Sequence, residues 1–250
     1  MAENFLLGKR ALVTGSSGGI GAHIAYGLAQ TGADVAVNYY RNPVGAEQVA
    51  ARITALGRRA VTLGGDVTRR EDCVGLVEGA VAAFGGIDIL INNAGEFAYK
   101  RCREHTPEEF DRIIASTVSA TFYCSMTALN YMRPAGWGRI VNLGAAGAER
   151  AGAAKGIGPH MAGKAGVVAL SRALAIEEGP FGITVNVVSP GDIRDRDISR
   201  AAALNIKSDK APVGRPGTSE DIVDAVLFLL SPQASFINGA VLNVTGGYDI

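Results

Sequence analysis

The sequence predicts an α/β fold in a single domain, built on a parallel β-sheet with helices on both faces. Short apolar runs of strand type alternate with segments of helical periodicity through the first half of the chain. This alternation implies right-handed crossovers and a parallel sheet covered on both sides. The length of 250 residues suits one large domain, and abundant alanine and glycine suit close packing of helices on the sheet.

The first predicted strand, Arg10–Val13, leads into a glycine-rich turn over Thr14–Gly21 that reads T-G-S-S-G-G-I-G. Helical periodicity follows over Ile20–Gln30. The other elements predicted in this half are strands at Asp34–Asn38, Ala60–Leu63 and Ile87–Ile91, and helices at Ala46–Leu56 and Glu71–Phe84.

Charge and composition argue against several classes of function. The chain has 24 basic and 24 acidic side chains without clustering, which argues against nucleic acid or an anionic membrane as a main partner. Neither a membrane-spanning apolar run nor a signal pattern is present, so we expect a cytoplasmic protein. Cys73, Cys102 and Cys124 are too few and too unevenly spaced for a disulfide framework or a metal site.

The glycine-rich turn is a candidate phosphate site. A turn of this kind between strand and helix directs free backbone N–H groups and the positive end of the helix at an anion. Glycine also permits positive φ and close approach of a ligand to the backbone. Tight strand-to-helix turns need glycine for structural reasons too, so the turn by itself leaves both interpretations open.

Residues after the later strands extend this candidate site, because ligands of parallel sheets bind at the carboxyl ends of strands. Tyr39, Tyr40 and Arg41 follow the second strand, where a carboxylate would favour an unphosphorylated ribose. Arg41 suits a 2′-phosphate instead, the alternative being a solvated surface arginine. Asp66 follows the third strand, either as a partner of an adenine amino group or as a helix cap.

After the fourth strand comes Asn92-Asn93-Ala94-Gly95, a turn whose asparagines suit pinning of neighbouring strands and contact with a cofactor. T-G-S-S-G-G-I-G, G-D-V-T at Gly65–Thr68 and N-N-A-G occur in an order that resembles the short-chain dehydrogenase/reductase family. The likeness covers Lys9 to Tyr248, and includes Pro190-Gly191 and the tail from Asn238 to Gly247. It implies a three-layer, Rossmann-type, doubly wound sheet, a nicotinamide cofactor, a small-molecule substrate and a homo-oligomer, either dimer or tetramer.

With Arg41 as phosphate partner, the expected cofactor is NADP(H). The predicted cofactor-binding residues are Gly15, Ser16, Ser17, Gly19, Ile20, Tyr39, Arg41, Asp66, Val67, Asn93, Ala94, Gly95, Lys164, Pro190, Gly191 and Ile193. A substrate lid is expected at residues 192–214, whose charge suggests a mobile, solvated loop.

The catalytic residues that the resemblance implies are largely replaced. Family members carry Asn, Ser, Tyr and Lys, with the last two spelled Y-x-x-x-K. Here that stretch reads His160-Met161-Ala162-Gly163-Lys164, so the lysine is present and histidine stands in place of tyrosine. Ala145 aligns with the serine and Thr117 with the asparagine. Asp195 aligns with a threonine that is frequent after Pro-Gly in the family.

His160 and Lys164 are the predicted catalytic residues. Histidine suits proton transfer near neutrality, so His160 is a candidate replacement acid, although a nearby Lys164 ammonium would depress its pKa. The alternative is a plain helix-entry histidine after Pro159. Glu149 is a second candidate acid, with a solvated loop carboxylate as its alternative. Lys164 is expected to contact the nicotinamide ribose whether or not chemistry occurs.

Three functions follow from these residues. The first is an NADP(H)-dependent oxidoreductase that acts on a small-molecule carbonyl or an activated double bond through a non-standard proton-transfer site. The second is a catalytically inactive NADP(H)-binding partner or sensor. The third is a non-redox dehydratase or isomerase with His160 or Glu149 as acid or base.

Overall fold

Seven parallel strands form one sheet at the centre of the protein. The computed structural model describes residues 4–152, 154–193 and 197–248. The strands are β1 (Arg10–Val13), β2 (Asp34–Tyr39), β3 (Ala60–Gly64), β4 (Ile89–Asn92), β5 (Gly138–Leu143), β6 (Ile183–Pro190) and β7 (Val241–Val244). Their order in the sheet is β3-β2-β1-β4-β5-β6-β7, with every neighbouring pair parallel. The predicted doubly wound sheet in a single α/β domain is therefore confirmed.

Helices cover both faces of this sheet. They are α1 (Gly19–Gln30), α2 (Pro43–Ala55), α3 (Arg70–Phe84), α4 (Pro107–Ile114), α5 (Ala120–Ala135), α6 (Gly158–Glu178), α7 (Arg200–Ala203) and α8 (Ser219–Leu230). A π-helical turn, Ala115–Ser119, joins α4 to α5. One core cluster packs α1, α2 and α8 on one face, and a second packs α3, α5 and α6 on the other. No helix in the described ranges is long and apolar enough to cross a membrane.

Local sequence explains where most helices begin and end. Asn42 caps α2 by accepting a hydrogen bond from the Gly45 N–H at 3.0 Å, so this helix begins earlier than predicted. Thr106 and Thr218 form capping boxes at the starts of α4 and α8. Gly85 ends α3 with φ of +81°, a conformation that glycine adopts without strain.

The start of the fourth strand differs from the prediction for a structural reason. The fourth strand begins at Ile89 instead of Ile87, because Asp88 turns its carboxylate toward Arg10 and binds both its backbone N–H and its guanidinium. Strand β6 extends to Pro190, which pairs with Val244 of β7. The strand order reverses between β1 and β4, and this reversal positions the candidate site.

Candidate functional site

A cleft of about 540 Å³ opens at the carboxyl ends of the strands, where the strand order reverses. It receives residues from the turns after the first six strands in chain order. The predicted site residues that line it are Gly15, Ile20, Asp66, Val67, Asn93, Ala94, Gly95, His160, Lys164, Pro190 and Gly191. The fold therefore brings most of the predicted cofactor and catalytic residues into one cavity.

The glycine-rich turn forms one wall of this cleft. Gly15 has φ of +62°, and a side chain there would meet Ala94 at 3.1 Å. Its N–H donates to Asn38 Oδ1 at 2.8 Å, which fixes the turn on β2. Gly18 precedes α1, and no side chain caps that helix. The first-turn amides of α1 are therefore available to an anion, as a helix N-terminus requires for phosphate binding.

Thr14 and Asn93 hold the turn against β4. The N–H groups of Asn93 and Ala94 both donate to Thr14 Oγ1 at 3.0 Å. Asn93 Nδ2 donates to the carbonyls of Thr14 and Gly15 at 2.9 and 3.0 Å. This amide therefore fixes the backbone that shapes the cleft, in agreement with its predicted pinning role.

Asp66 and Arg112 stand at the end of the cleft beside β2 and β3. Arg112, on α4, contacts the Asp66 carboxylate at 3.4 Å and the Glu96 carboxylate more closely. Burial by itself would raise the pKa of Asp66, but hydrogen bonds from Thr68 and the charge of Arg112 outweigh burial and lower it. Asp66 therefore remains an anionic acceptor in the wall of the cleft.

Two guanidinium groups lie close to the Tyr40 ring at this end of the cleft. Arg41 lies 4.8 Å and Arg112 5.6 Å from the centroid of this ring. Cations favour aromatic faces at these distances. The predicted phosphate partner Arg41 is exposed and lies beside Tyr40, a residue that lines the cleft.

Lys164 lies at the opposite end of the cleft. The side chain is buried, and Nζ donates to the Leu143 carbonyl at 2.5 Å. Burial lowers the pKa of this ammonium to about 8. Gly95 is close to the same group, since a side chain at Gly95 would lie 3.6 Å from Nζ.

His160 stands one helical turn before Lys164 and lines the same cleft. Its Nδ1 lies 3.2 Å from the Glu96 carbonyl oxygen, and Phe97 packs edge-on against the ring with centroids 5.1 Å apart. Burial, and then the charge of Lys164, lowers the pKa of His160 to about 4. The imidazole is therefore neutral at physiological pH, which is unfavourable for the predicted role of proton donor.

The aligned replacements for serine and asparagine supply no hydroxyl or amide to the cleft. Ala145 lines the cleft with a methyl group. Thr117 is buried and its hydroxyl donates back to the Ile113 carbonyl at 2.7 Å. Glu149 accepts from Asn243 Nδ2 at 3.0 Å and lies outside the cleft lining. The structure thus does not place Glu149 in the lining of the cleft, and its role as a second candidate acid stays a prediction.

Several predicted cofactor residues lie outside the lining of the cleft: Ser16, Ser17, Gly19, Tyr39, Arg41 and Ile193. The Ser16 hydroxyl is buried and donates to the Val13 carbonyl at 2.7 Å. The Tyr39 ring packs against Gly64 and the core. These two side chains are thus engaged within the protein, and contacts of Ser16 and Tyr39 with a cofactor stay a prediction. Asp195 lies outside the described residues.

Sequence reasoning missed other lining residues, among them Asn38, Glu96, Phe97, Arg112 and Tyr248. Asn38 is the only one with a usable signal, since a polar residue at the end of an apolar strand needs a partner. Arg112 lies on a helix far along the chain from β2 and β3. Its position beside Asp66 depends on how α4 packs, which no local pattern reveals.

The predicted lid is better anchored than a mobile, solvated loop. Arg200 of α7 contacts Asp221 at 3.1 Å and Asp224 at 2.6 Å, and Arg215 binds Asp221 through two nitrogens at 2.8 Å. Burial opposes ionisation of Asp221, but hydrogen bonds from Arg215 and Thr218 outweigh it and hold its pKa far below the usual range. These charges fasten residues 200–215 to α8.

Comparison with known proteins agrees with this geometry. A family model described as enoyl-(acyl carrier protein) reductase matches residues 15–249. Gluconate 5-dehydrogenase of Gluconobacter oxydans is 36% identical over 249 residues, covering 98% of this chain and 96% of that protein. A 3-oxoacyl-[acyl-carrier-protein] reductase of Staphylococcus epidermidis is 34% identical, with 96% and 99% covered.

Solved structures are similar over the whole chain. A short-chain dehydrogenase of Burkholderia cenocepacia in complex with NADP superposes with a TM-score of 0.88 at 37% identity, covering 98% of this chain and 99% of the other. A blue fluorescent protein from a metagenomic library, in complex with NADPH, gives 0.87 at 34% identity, with 99% and 100% covered. The relatives differ in substrate but share one fold and one class of chemistry, and the chain belongs to the short-chain dehydrogenase/reductase family of oxidoreductases.

Proposed function

We propose that this protein is an NADP(H)-dependent oxidoreductase that acts on a small-molecule carbonyl–alcohol pair or an activated double bond through a non-standard proton-transfer site. The observation that carries the proposal is the shared cleft. The uncapped start of α1, the Asp66 carboxylate and the buried Lys164 ammonium all face it, although their residues are far apart in sequence.

The residues of the cleft fit a nicotinamide dinucleotide. The amides at the start of α1 suit its pyrophosphate, and the Asp66 carboxylate suits an adenine amino group. Lys164, at the far end, suits the hydroxyls of the nicotinamide ribose. When bound, the nicotinamide supplies or accepts a hydride, and the protein supplies binding and orientation.

Arg41 and Arg112 support the phosphorylated form of the cofactor. Both guanidinium groups lie beside Tyr40, at the end of β2 where a carboxylate would otherwise select an unphosphorylated ribose. Arg112 forms ion pairs with Asp66 and Glu96, whereas Arg41 has no ion pair among the described residues. Arg41 is therefore the cation that suits a 2′-phosphate.

The walls near His160 favour a substrate with an apolar body. Phe97, Ile157 and Met161 line this part of the cleft, and Ala145 replaces a polarising hydroxyl. Loss of one such donor typically costs a factor of ~10²–10³ in rate. A substrate that needs little polarisation of its reacting group therefore suits this site best.

The cofactor assignment is tested by titrating the purified protein and its Arg41→Ala variant with NADPH and with NADH. We expect Arg41→Ala to weaken NADPH binding by about tenfold and to leave NADH binding unchanged, because only NADPH carries the 2′-phosphate. Arg52→Ala is the matched control, since Arg52 stacks on Tyr26 outside the cleft. Absence of NADPH binding at millimolar concentration would overturn the proposal.

Turnover separates the proposed enzyme from the alternatives. Oxidation of NADPH or reduction of NADP⁺ with ketones, enones or alcohols is the expected result. Tight binding without turnover on any of these substrates would indicate the inactive binding protein instead. Product formation without added cofactor would indicate the dehydratase or isomerase.

The proposal includes self-association of the chain. Phe122, Ile176 and Phe181 are exposed apolar side chains on or beside α5 and α6, and Ile176 is 79% exposed. Burial of such side chains against a second copy would stabilise a dimer. Sedimentation velocity of the purified protein tests this prediction, and a monomer at micromolar concentration would contradict it.

A further inference from the structure

The imidazole of His160 is held by a backbone carbonyl. Its Nδ1 lies 3.2 Å from the Glu96 carbonyl oxygen, which accepts hydrogen bonds and cannot donate them. Nδ1 must therefore carry a hydrogen for this bond to form. In a neutral imidazole the other nitrogen, Nε2, is then an acceptor with a free lone pair.

The carbonyl that sets this tautomer is itself fixed from two sides. The Glu96 N–H donates to the hydroxyl of the buried Ser116 at 2.9 Å, and that hydroxyl donates on to the Ile113 carbonyl at 3.2 Å. The Glu96 side chain is bound by Arg112. Because Glu96 is held through its N–H and through its side chain, the carbonyl that contacts His160 keeps one position.

The ring plane is fixed as well. Phe97 packs edge-on against the imidazole, and His160 lines the cleft on the same helical face as Lys164. The nearby Lys164 ammonium and burial both disfavour a second proton on the ring, and its pKa of about 4 keeps it neutral at pH 7. At neutral pH the cleft is thus provided with a proton acceptor.

We propose that His160 Nε2 is the general base for oxidation of an alcohol with an apolar body, so that the site is built for dehydrogenation. This inference rests on the proposed function, and it replaces the predicted role of His160 as an acid. The alcohol hydroxyl donates to Nε2, and the hydrocarbon part lies against Phe97, Ile157 and Met161.

The step balances with NADP⁺ as the oxidant. The O–H bond of the alcohol breaks, its proton forms a bond with Nε2, and the oxygen electron pair forms the C=O bond. The carbinol carbon loses its hydrogen together with the bonding pair; this hydride passes to NADP⁺, which is thereby reduced to NADPH, while the alcohol undergoes a two-electron oxidation. His160 then returns the proton to water, and the carbonyl product leaves.

This assignment predicts different pH dependences for alcohol oxidation and for ketone reduction. Oxidation uses the neutral ring, so kcat/KM for the alcohol should be level from about pH 5.5 to 7.5. Reduction uses the protonated ring, whose population falls ~10-fold for each pH unit above its pKa. The kcat/KM for the ketone should therefore fall ~10-fold per pH unit over the same range. A purely structural histidine would give neither pattern.

Nuclear magnetic resonance can determine the tautomer of the His160 imidazole in the free protein, without cofactor or substrate. The chain has three histidines, and the spectrum of the His160→Gln variant identifies the signals of His160 by their loss. In long-range ¹H–¹⁵N spectra at pH 7 we expect a neutral ring with the proton on Nδ1. A proton on Nε2, or a doubly protonated ring, would overturn the proposal.

Kinetics with 1-phenylethanol and cyclohexanol as probes test the role in catalysis. Glutamine can donate to the Glu96 carbonyl but cannot accept a proton, so His160→Gln should lower kcat for alcohol oxidation ~10²-fold and leave NADP⁺ affinity unchanged. His23→Gln, on α1 and outside the cleft, is the matched control. Ser116→Ala should lower kcat less, through loss of the fixed Glu96 peptide.

The outcomes separate this inference from the proposed function. If NADP⁺ binds but neither alcohol is oxidised, or if His160→Gln oxidises them at the normal rate, the base assignment fails and the cofactor site stands. If NADP⁺ and NADPH do not bind at all, the proposed function fails first.

Discussion

The buried ammonium of Lys164, which we assign to cofactor binding, lowers the free energy of unfolding of this protein. Its ammonium is buried at the end of β5 and its pKa is lowered to about 8 by desolvation. An unfolded lysine has a pKa of about 10.5, and this difference corresponds to ~3 kcal/mol against folding at neutral pH. The hydrogen bond to the Leu143 carbonyl offsets ~1 kcal/mol of that cost.

We therefore expect Lys164→Met to raise the free energy of unfolding by ~2 kcal/mol at pH 7, because it removes the buried charge and keeps the side-chain volume. The folded-state pKa is depressed, so the wild-type penalty is complete below pH 8 and disappears as pH rises toward 10.5. The gain should accordingly be close to zero at about pH 9.5. Urea unfolding at both pH values measures it.

Lys155→Met, at an exposed position, is the control and should change stability little at either pH. Lys164→Met should at the same time weaken binding of NADPH. A loss of stability at pH 7 would mean that the bond to Leu143 outweighs the desolvation of the ammonium.

At the scale of elements, the contact of α6 with the π-helical turn shapes the part of the cleft that contains His160 and Lys164. Gly163 faces Thr117, and a side chain at Gly163 would overlap the Thr117 hydroxyl. Thr117 in turn lies against Gly95, whose side chain would meet its Cγ2 at 3.3 Å. Gly163, and Gly166 beside Val118, allow this close approach of α6 to the π-helical turn.

Gly163→Ala should therefore lower the free energy of unfolding by ~1–3 kcal/mol, the usual range for overpacking, although alanine is the better helix former. Gly75→Ala is the matched control, because Gly75 is also helical and no atom lies within 4 Å of an added side chain. That variant should gain ~0.5–1 kcal/mol. Combining Gly163→Ala with Thr117→Ala should restore most of the loss, and failure to do so would place the strain elsewhere.

At the scale of the whole molecule, the cleft is assembled from segments that lie between Gly15 and Tyr248 along the chain. A ligand that bridges these segments stabilises the entire sheet, since the strands that carry them are contiguous in one core. Cofactor binding should therefore raise the free energy of unfolding of the complete domain.

NADPH at a concentration 100 times its Kd should stabilise the folded protein by about 2.7 kcal/mol. For a chain of this length, that corresponds to a rise in Tm of ~5–10 °C. NADH at the same concentration should raise Tm less, because the 2′-phosphate contact of Arg41 is absent. Differential scanning fluorimetry measures both shifts, and equal shifts for NADPH and NADH would contradict the role of Arg41.

The fold was accessible from the sequence because its signals are local. Strand-type runs, helical periodicity and the glycine-rich turn at Thr14–Gly21 each depend on neighbours along the chain. Helix starts were placed less well, as at α2, because the cap at Asn42 precedes the apolar pattern. The last strand, Val241–Val244, was not predicted, because Asn243 interrupts its short apolar run.

The sequence by itself determined the order of strands and helices, the glycine-rich turn at a strand end, and the replacement of tyrosine and serine by His160 and Ala145. Those properties depend only on the identity of the residues and on their spacing along the chain. Only the tertiary structure decided that Arg112 reaches Asp66, that Glu149 turns toward Asn243, and that His160 donates through Nδ1 to the Glu96 carbonyl. The reason is physical: these contacts join residues between 46 and 94 positions apart, so they are fixed by how elements pack and not by any local pattern.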